Sequence, residues 1–240
     1  MTTRPFDLLS TLAAFALLLC AIAAPASAQP LSLLIFGDSL TSGFDLPESQ
    51  GFPAQLKRRL LADGYDVMVW NGSNAGDTSA DGYARIDQAL QYNPDLVLVE
   101  FGGNDMLDRT DPRVTYRYLD AIIRVCKARG ARVILAGMLS LPKNGPNYIV
   151  GFNNIYPTLA RSHRVPLYPF ILAGVYGHPA LMQSDKEHPN ALGTAVMVAG
   201  IAPLIEANLH KIRVASHEAR RPRSARLERV PVDGDDTSRR

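Results

Sequence analysis

Cysteine is nearly absent from this chain: there are two in 240 residues, Cys20 and Cys126. That scarcity excludes a disulfide-stapled scaffold and any paired-cysteine zinc spacing. Charge of one sign is also missing, since 25 Lys/Arg stand against 23 Asp/Glu for a net +2. A balance so close to zero offers no electrostatic footprint for nucleic acid. There is no His-Glu-x-x-His and no Gly-x-x-x-x-Gly-Lys-Ser/Thr, so the zinc-peptidase and phosphate-loop chemistries lack their residues. Nor is there a Gly-x-Ser-x-Gly elbow, which argues against the usual α/β-hydrolase arrangement. Internal repeats and low-complexity linkers are missing from the body of the chain. Neither a metal nor a cofactor is expected.

Long apolar runs are scarce as well, with one exception at the start. Leu8 to Ala24 is continuously apolar or small, and Ala26-Ser27-Ala28 follows it. This reads as a secretory signal over residues 1–28, cleaved before Gln29. The alternative is a retained anchor, but the run is at the short edge of the ~20 residues that span a bilayer. A lipid anchor on Cys20 is disfavoured because Leu19 precedes it. With the signal removed, Cys126 is the sole cysteine, and it sits on the apolar stripe Val114, Tyr118, Ile122, Val125. It reads as a small core residue and not as a nucleophile. At the other end, residues 211–240 hold nine Lys/Arg, five Asp/Glu and no aromatic residue. They read as a basic, disordered tail. The body, residues 29–210, is long enough for one domain with a substantial core.

Within that body, short apolar runs alternate with helical stretches. Leu31–Phe36, Val67–Trp70, Leu96–Phe101 and Val133–Ala136 read as strands buried on both faces of a parallel sheet. Val165–Phe170 is a fifth, weakened by its two prolines. Helices are expected over about 53–63, 79–92, 112–129 and 147–162, with a last one from Pro189-Asn190 to about Leu209. This order predicts a doubly wound α/β sandwich. Sites in such sheets form outside the carboxyl ends of the strands.

Four polar segments fall on that edge: "GDSL" at 37–40, "NGSNAGDTS" at 71–79, "GGND" at 102–105 and "DKEHPN" at 185–190. Gly37 is expected to permit a sharp turn that lifts Ser39 out at the sheet edge. Serine is a poor nucleophile until a base takes its proton, and histidine is the usual base. His210 and His217 belong in or beside the tail, while His163 and His178 are expected on the surface. His188 differs, because Asp185 precedes it by three residues and can reach its Nδ1. Acyl transfer also needs donors for a developing oxyanion. Gly76 can present its N–H, Asn104 its side-chain amide, and Ser39 its own N–H. Each motif alone has a bland reading as a turn or a charged loop.

Taken in order, "FGDSLTSG", "NAGDTSADG", "VLVEFGGND" and "DKEHPN" resemble the four blocks of the SGNH (GDSL) hydrolases. Within them the resemblance is to the periplasmic thioesterase I/lysophospholipase/arylesterase group. It continues through "NNIYPTLARSHRVPLYPF" and "YGHPALMQSD" and covers nearly all of residues 31–209. It implies a flavodoxin-like three-layer α/β/α sandwich with a central parallel sheet. It also implies Ser39 as nucleophile, Asp185 and His188 as the rest of a triad, and Ser39, Gly76 and Asn104 as an oxyanion hole. The segment "DMLDRTDP" after Asn104 is more charged than the resemblance leads one to expect, which bears on acyl-chain preference.

The expectation is therefore a periplasmic or secreted serine esterase, acting as a monomer on small acyl or aryl esters, thioesters or lysophospholipids. It would work without cofactor, without nucleic acid and without a stable membrane span. A carbohydrate O-acetylesterase is the alternative within the same superfamily. A catalytically dead module binding lipid or glycan is the alternative outside catalysis.

Overall fold

One interior strand of the sheet explains itself. Leu33, Leu34, Ile35 and Phe36 follow one another without a polar break, and all four are fully buried. Alternate side chains point to opposite faces, so a run apolar at every position needs cover on both. In the computed structural model, which describes residues 29–220, this run lies in β1 (Leu31–Gly37). Beside it stand β2 (Val67–Asn71), β3 (Leu96–Glu100), β4 (Arg132–Ala136) and β5 (Leu167–Tyr168). The order across the sheet is β2-β1-β3-β4-β5, with every pair parallel. Strand order reverses between β1 and β3, the switch point where doubly wound sheets open a crevice.

Eight α-helices among the described residues complete the fold. They are α1 (Ser39–Ser42), α2 (Phe52–Ala62), α3 (Ser79–Ala89), α4 (Gly103–Leu107), α5 (Pro112–Ala128), α6 (Pro146–Asn153), α7 (Ile155–His163) and α8 (Ala191–Arg220). One outer layer pairs α2 with α8, and the other packs α3, α5 and α7 together. This is the three-layer α/β/α sandwich expected from the sequence. Cys126 lies in the core as expected, and burial pushes its thiol up to about 12.

Four local expectations are corrected. The helix expected over 147–162 is two, because Pro157 near the start of α7 has no N–H to continue the α6 ladder. The fifth strand is only Leu167–Tyr168, since Pro166 and Pro169 on either side lack ladder donors. His163 is not a free surface residue: its side chain is 11% exposed and its Nε2 lies 2.6 Å from Asp120 Oδ1. The last helix does not stop near Leu209 but reaches Arg220. Ile201, Ile205, Leu209 and Ile212 continue one buried stripe at helical spacing. Arg213 then lies over the Tyr65 ring at 5.5 Å. The start of the basic segment is thus part of the domain, while residues 1–28 and 221–240 lie outside the described residues. Ala191–Ser216 is long and apolar enough to cross a membrane, yet half of that window is buried, as suits a core helix.

Candidate active site

Ser39 stands at the carboxyl end of β1, as the first residue of α1. Asp38 caps that helix, its Oδ1 accepting the Leu40 N–H at 3.0 Å. Gly37 has a different role from the expected turn. A Cβ there would sit 2.4 Å from both the Glu100 carbonyl and Thr41 Oγ1. The glycine lets β1 approach β3 and α1, and φ is not in the left-handed region. The chain reverses at Gly43, where φ is +89° and α1 ends.

His188 arrives from the loop before α8. Its Nε2 lies 2.9 Å from Ser39 Oγ, and its Nδ1 lies 2.7 Å from Asp185 Oδ2. Asp185 Oδ1 accepts the N–H groups of Glu187 at 2.9 Å and His188 at 3.0 Å. Burial pushes the Asp185 carboxyl up, but the His188 ring and these two N–H groups outweigh it and hold it at about 2. At neutral pH the carboxylate can therefore only accept. The proton of a neutral imidazole then belongs on Nδ1, and Nε2 is left to accept the Ser39 hydroxyl proton.

Of the three candidate oxyanion donors, Ser39 and Asn104 line one cleft together with Asp185 and His188. The Ser39 N–H has no partner inside its helix, because it is the first. Asn104 gives one amide hydrogen to the Asp77 carbonyl at 2.8 Å and has a second to offer. Gly76 is not among the cleft-lining residues but immediately precedes Asp77. Its φ of +86° needs glycine for conformation and not for space, since a Cβ would meet nothing within 4 Å.

The cleft has a volume of about 300 Å³. Beyond the polar cluster Leu40, Met106, Leu107, Met138, Leu141 and Leu172 make an apolar wall, and Tyr176, Lys186 and Glu187 also line the cleft. The charged segment after Asn104 does not enter it. Met106 and Leu107 face the cleft, whereas Asp105 is buried in hydrogen bonds and Asp108 and Arg109 do not line it. Such an arrangement can deprotonate a serine, hold a carbonyl oxygen and shelter an apolar acyl group.

Residues 35–196 match the GDSL-like lipase/acylhydrolase family. The chain belongs to that family. It is 38% identical over 176 residues to the Esterase TesA of Pseudomonas aeruginosa, covering 73% of this chain and 88% of the relative. It is 41% identical over 165 residues to the Arylesterase of Vibrio mimicus, covering 68% and 82%. It is 42% identical over 161 residues to the Thioesterase 1/protease 1/lysophospholipase L1 of Escherichia coli, covering 66% and 76%. The crystal structure of TesA superposes with a TM-score of 0.71 at 37% identity, over 74% of this chain and 99% of that one. The psychrotrophic esterase EstA of Pseudoalteromonas sp. also gives 0.71, at 28% identity, over 75% and 98%. The chain is an SGNH-type ester hydrolase.

In this hydrolase several supporting residues carry no signal along the sequence. Phe44 packs on His188 with ring centroids 4.5 Å apart. Gln183 holds Phe44 in turn, donating to its carbonyl at 2.9 Å. Asp105, buried beside Asn104, accepts from the Ser79 N–H at 2.8 Å, Ser79 Oγ at 2.5 Å and Thr115 Oγ1 at 2.9 Å. It pins α4 to α3 and α5, and so fixes the backbone that carries Asn104. Only its place in "GGND" hinted at this.

The carboxyls of Asp38 and Glu100 form a buried pair next to Ser39. Burial raises Asp38 to about 6, and burial with the Asp38 charge raises Glu100 well above the carboxylate range. Glu100 Oε2 accepts from Thr41 Oγ1 at 3.1 Å. Asp38 Oδ2 and Glu100 Oε1 have no donor among the described residues. A proton shared between the two carboxyls would give those oxygens the partner they lack. The folded state then keeps this proton to higher pH than the unfolded chain. Its stabilisation is full below the unfolded value of ~4.3 and is lost as pH rises through the folded one. Thermal melts from pH 5 to 9 are expected to fall for the natural protein and to be flatter for Glu100→Gln, which cannot ionise. Parallel slopes would mean that Glu100 is not the proton's holder.

Proposed function

We propose that this hydrolase is a serine esterase working through a Ser39 acyl-enzyme. The reading rests above all on the unbroken chain Asp185–His188–Ser39 at the floor of an apolar cleft. Ser39 Oγ attacks the ester or thioester carbonyl while His188 Nε2 takes its proton. The carbonyl π electrons move onto oxygen, and the N–H groups of Ser39 and Gly76 with the Asn104 amide hold the oxyanion. Collapse expels the alcohol or thiol, which leaves with the proton from His188. Water then attacks the acyl-enzyme, giving its proton to His188, and the acid departs as Ser39 is reprotonated. Asp185 orients the imidazole and stabilises its charged form in both halves.

The substrates proposed are acyl and aryl esters, acyl thioesters and lysophospholipids. The wall of Met106, Leu107, Met138, Leu141 and Leu172 suits an acyl chain better than a sugar, which would ask for more polar groups. The protein is proposed to be exported, on the strength of its signal-like first 28 residues. Nitrophenyl esters from acetyl to palmitoyl test the substrate class, with a fluorophosphonate label located by peptide mass. Turnover beyond acetyl with labelling on Ser39 is expected. Turnover on acetylated sugars alone would favour the acetylesterase, and binding without turnover or label would leave a non-catalytic module. Asn104→Ala is expected to cost about 10²–10³ in kcat with little change in KM, as for loss of one oxyanion donor. A KM effect alone would show that the amide binds ground-state substrate.

A further inference from the structure

Arg85 lies on α3, away from the cleft-lining residues, yet its guanidinium reaches three segments at the carboxyl edge of the sheet. Nε donates to Asp77 Oδ2 at 2.5 Å. Nη2 donates to the Gly37 carbonyl at 3.1 Å, and Nη1 to the Gly72 carbonyl. The group lies over the Phe36 ring at 4.6 Å and near that of Phe101 at 5.8 Å. Its side chain is only 19% exposed.

The choice of acceptors is informative. Gly37 ends β1, two residues before Ser39. Gly72 opens the loop after β2 that carries Gly76. Asp77 follows Gly76 directly, and its carbonyl holds the Asn104 amide at 2.8 Å. Every candidate oxyanion donor is thus one or two residues, or one hydrogen bond, from a group that Arg85 holds. A core fastening has no need to choose those acceptors. Lysine does not replace it: an ammonium offers a point charge, whereas the planar fork reaches several acceptors at once and lies flat on aromatic rings.

We propose that Arg85 is the positioning residue of the oxyanion hole, setting the Gly76 loop and the Asn104 amide against Ser39. The proposal rests on the acyl-enzyme reading above. Oxyanion donors act mainly once negative charge has developed, so their misplacement lowers kcat and leaves KM nearly alone. It also weakens binding of an alkylboronic acid, which adds to the serine as a tetrahedral anion.

The test uses full-length protein carrying Arg85→Lys, Arg85→Met or Asp77→Asn, each alone and with Asn104→Ala. Circular dichroism and Tm identify the folded variants, and Asp77→Asn keeps the test available if Arg85→Met unfolds. We expect kcat to fall about 10–100-fold for the arginine variants, less than for outright loss of a donor, with KM within about twofold. Boronate affinity should fall with kcat, and the arginine effect should shrink in the Asn104→Ala background, because coupled residues are not additive. Unchanged kcat in a folded arginine variant would overturn the proposal. So would a loss that multiplies in full with Asn104→Ala, or one confined to KM. An Asn104→Ala protein as active as the natural one would instead sink the oxyanion-hole reading itself, and Arg85's role with it.

Discussion

Ser39→Ala is expected to lower kcat/KM on a short nitrophenyl ester by about 10⁴-fold or more, the scale seen when a triad serine is lost. The hydroxyl is the only group within hydrogen-bonding distance of His188 Nε2 among the described residues. Without it the imidazole has no protein nucleophile to activate, only solvent water. The fold has little reason to notice. Among the described residues the Ser39 side chain makes no hydrogen bond but this one, and Asp38 rather than Ser39 supplies the cap of α1. The Tm is therefore expected within about 2 °C of the natural protein, less than the shift from 1 kcal/mol in a domain this size. A kcat/KM above about one hundredth of the natural value would place the nucleophile elsewhere, since residual catalysis from binding and oxyanion donors alone is far smaller.

The second large effect is expected from His188→Ala, again about 10⁴-fold or more in kcat/KM. The two variants separate by a measurement other than turnover. In Ser39→Ala the fluorophosphonate has no hydroxyl to phosphonylate, so labelling is abolished. In His188→Ala the hydroxyl remains but has lost its base, so labelling of Ser39 slows with turnover and still goes to that residue. The double variant is expected to be scarcely worse than either single one, because the two groups act as one unit. Multiplying losses would show that His188 acts apart from Ser39. Asp185→Asn is expected to do less damage than either. It loses the charge that stabilises the imidazolium, and its single amide oxygen cannot accept from both the backbone N–H groups and Nδ1–H.

The positions of Ser39, Asp185 and His188 were readable because each lies in a short segment with its own local chemistry. Asp185 and His188 are three residues apart, close enough for one turn of backbone to join them. The strands were readable for a similar reason: Leu33–Phe36 and Leu96–Val99 have no polar residue to show a solvent face, so both faces must be covered. What failed to show were groups whose role depends on partners far along the chain. Arg85 reads as one more charge on an amphipathic helix. Glu100 reads as the end of a strand, and Phe44 as an aromatic after a turn glycine.

By itself the sequence determined the layered α/β architecture, the edge of the sheet where polar chemistry collects and the residue types that meet there. Periodicity and spacing act over a few residues, and their physics is local. The tertiary structure alone decided that Gly37 serves close packing, that α6 and α7 are separate and that α8 runs to Arg220. It alone decided that Glu100 shares a buried pocket with Asp38 and that Arg85 gathers Gly37, Gly72 and Asp77. Those outcomes depend on strand register and on the rotation of each helix against the sheet. Both are set by the sum of many contacts between residues distant in sequence, and no short segment contains that sum.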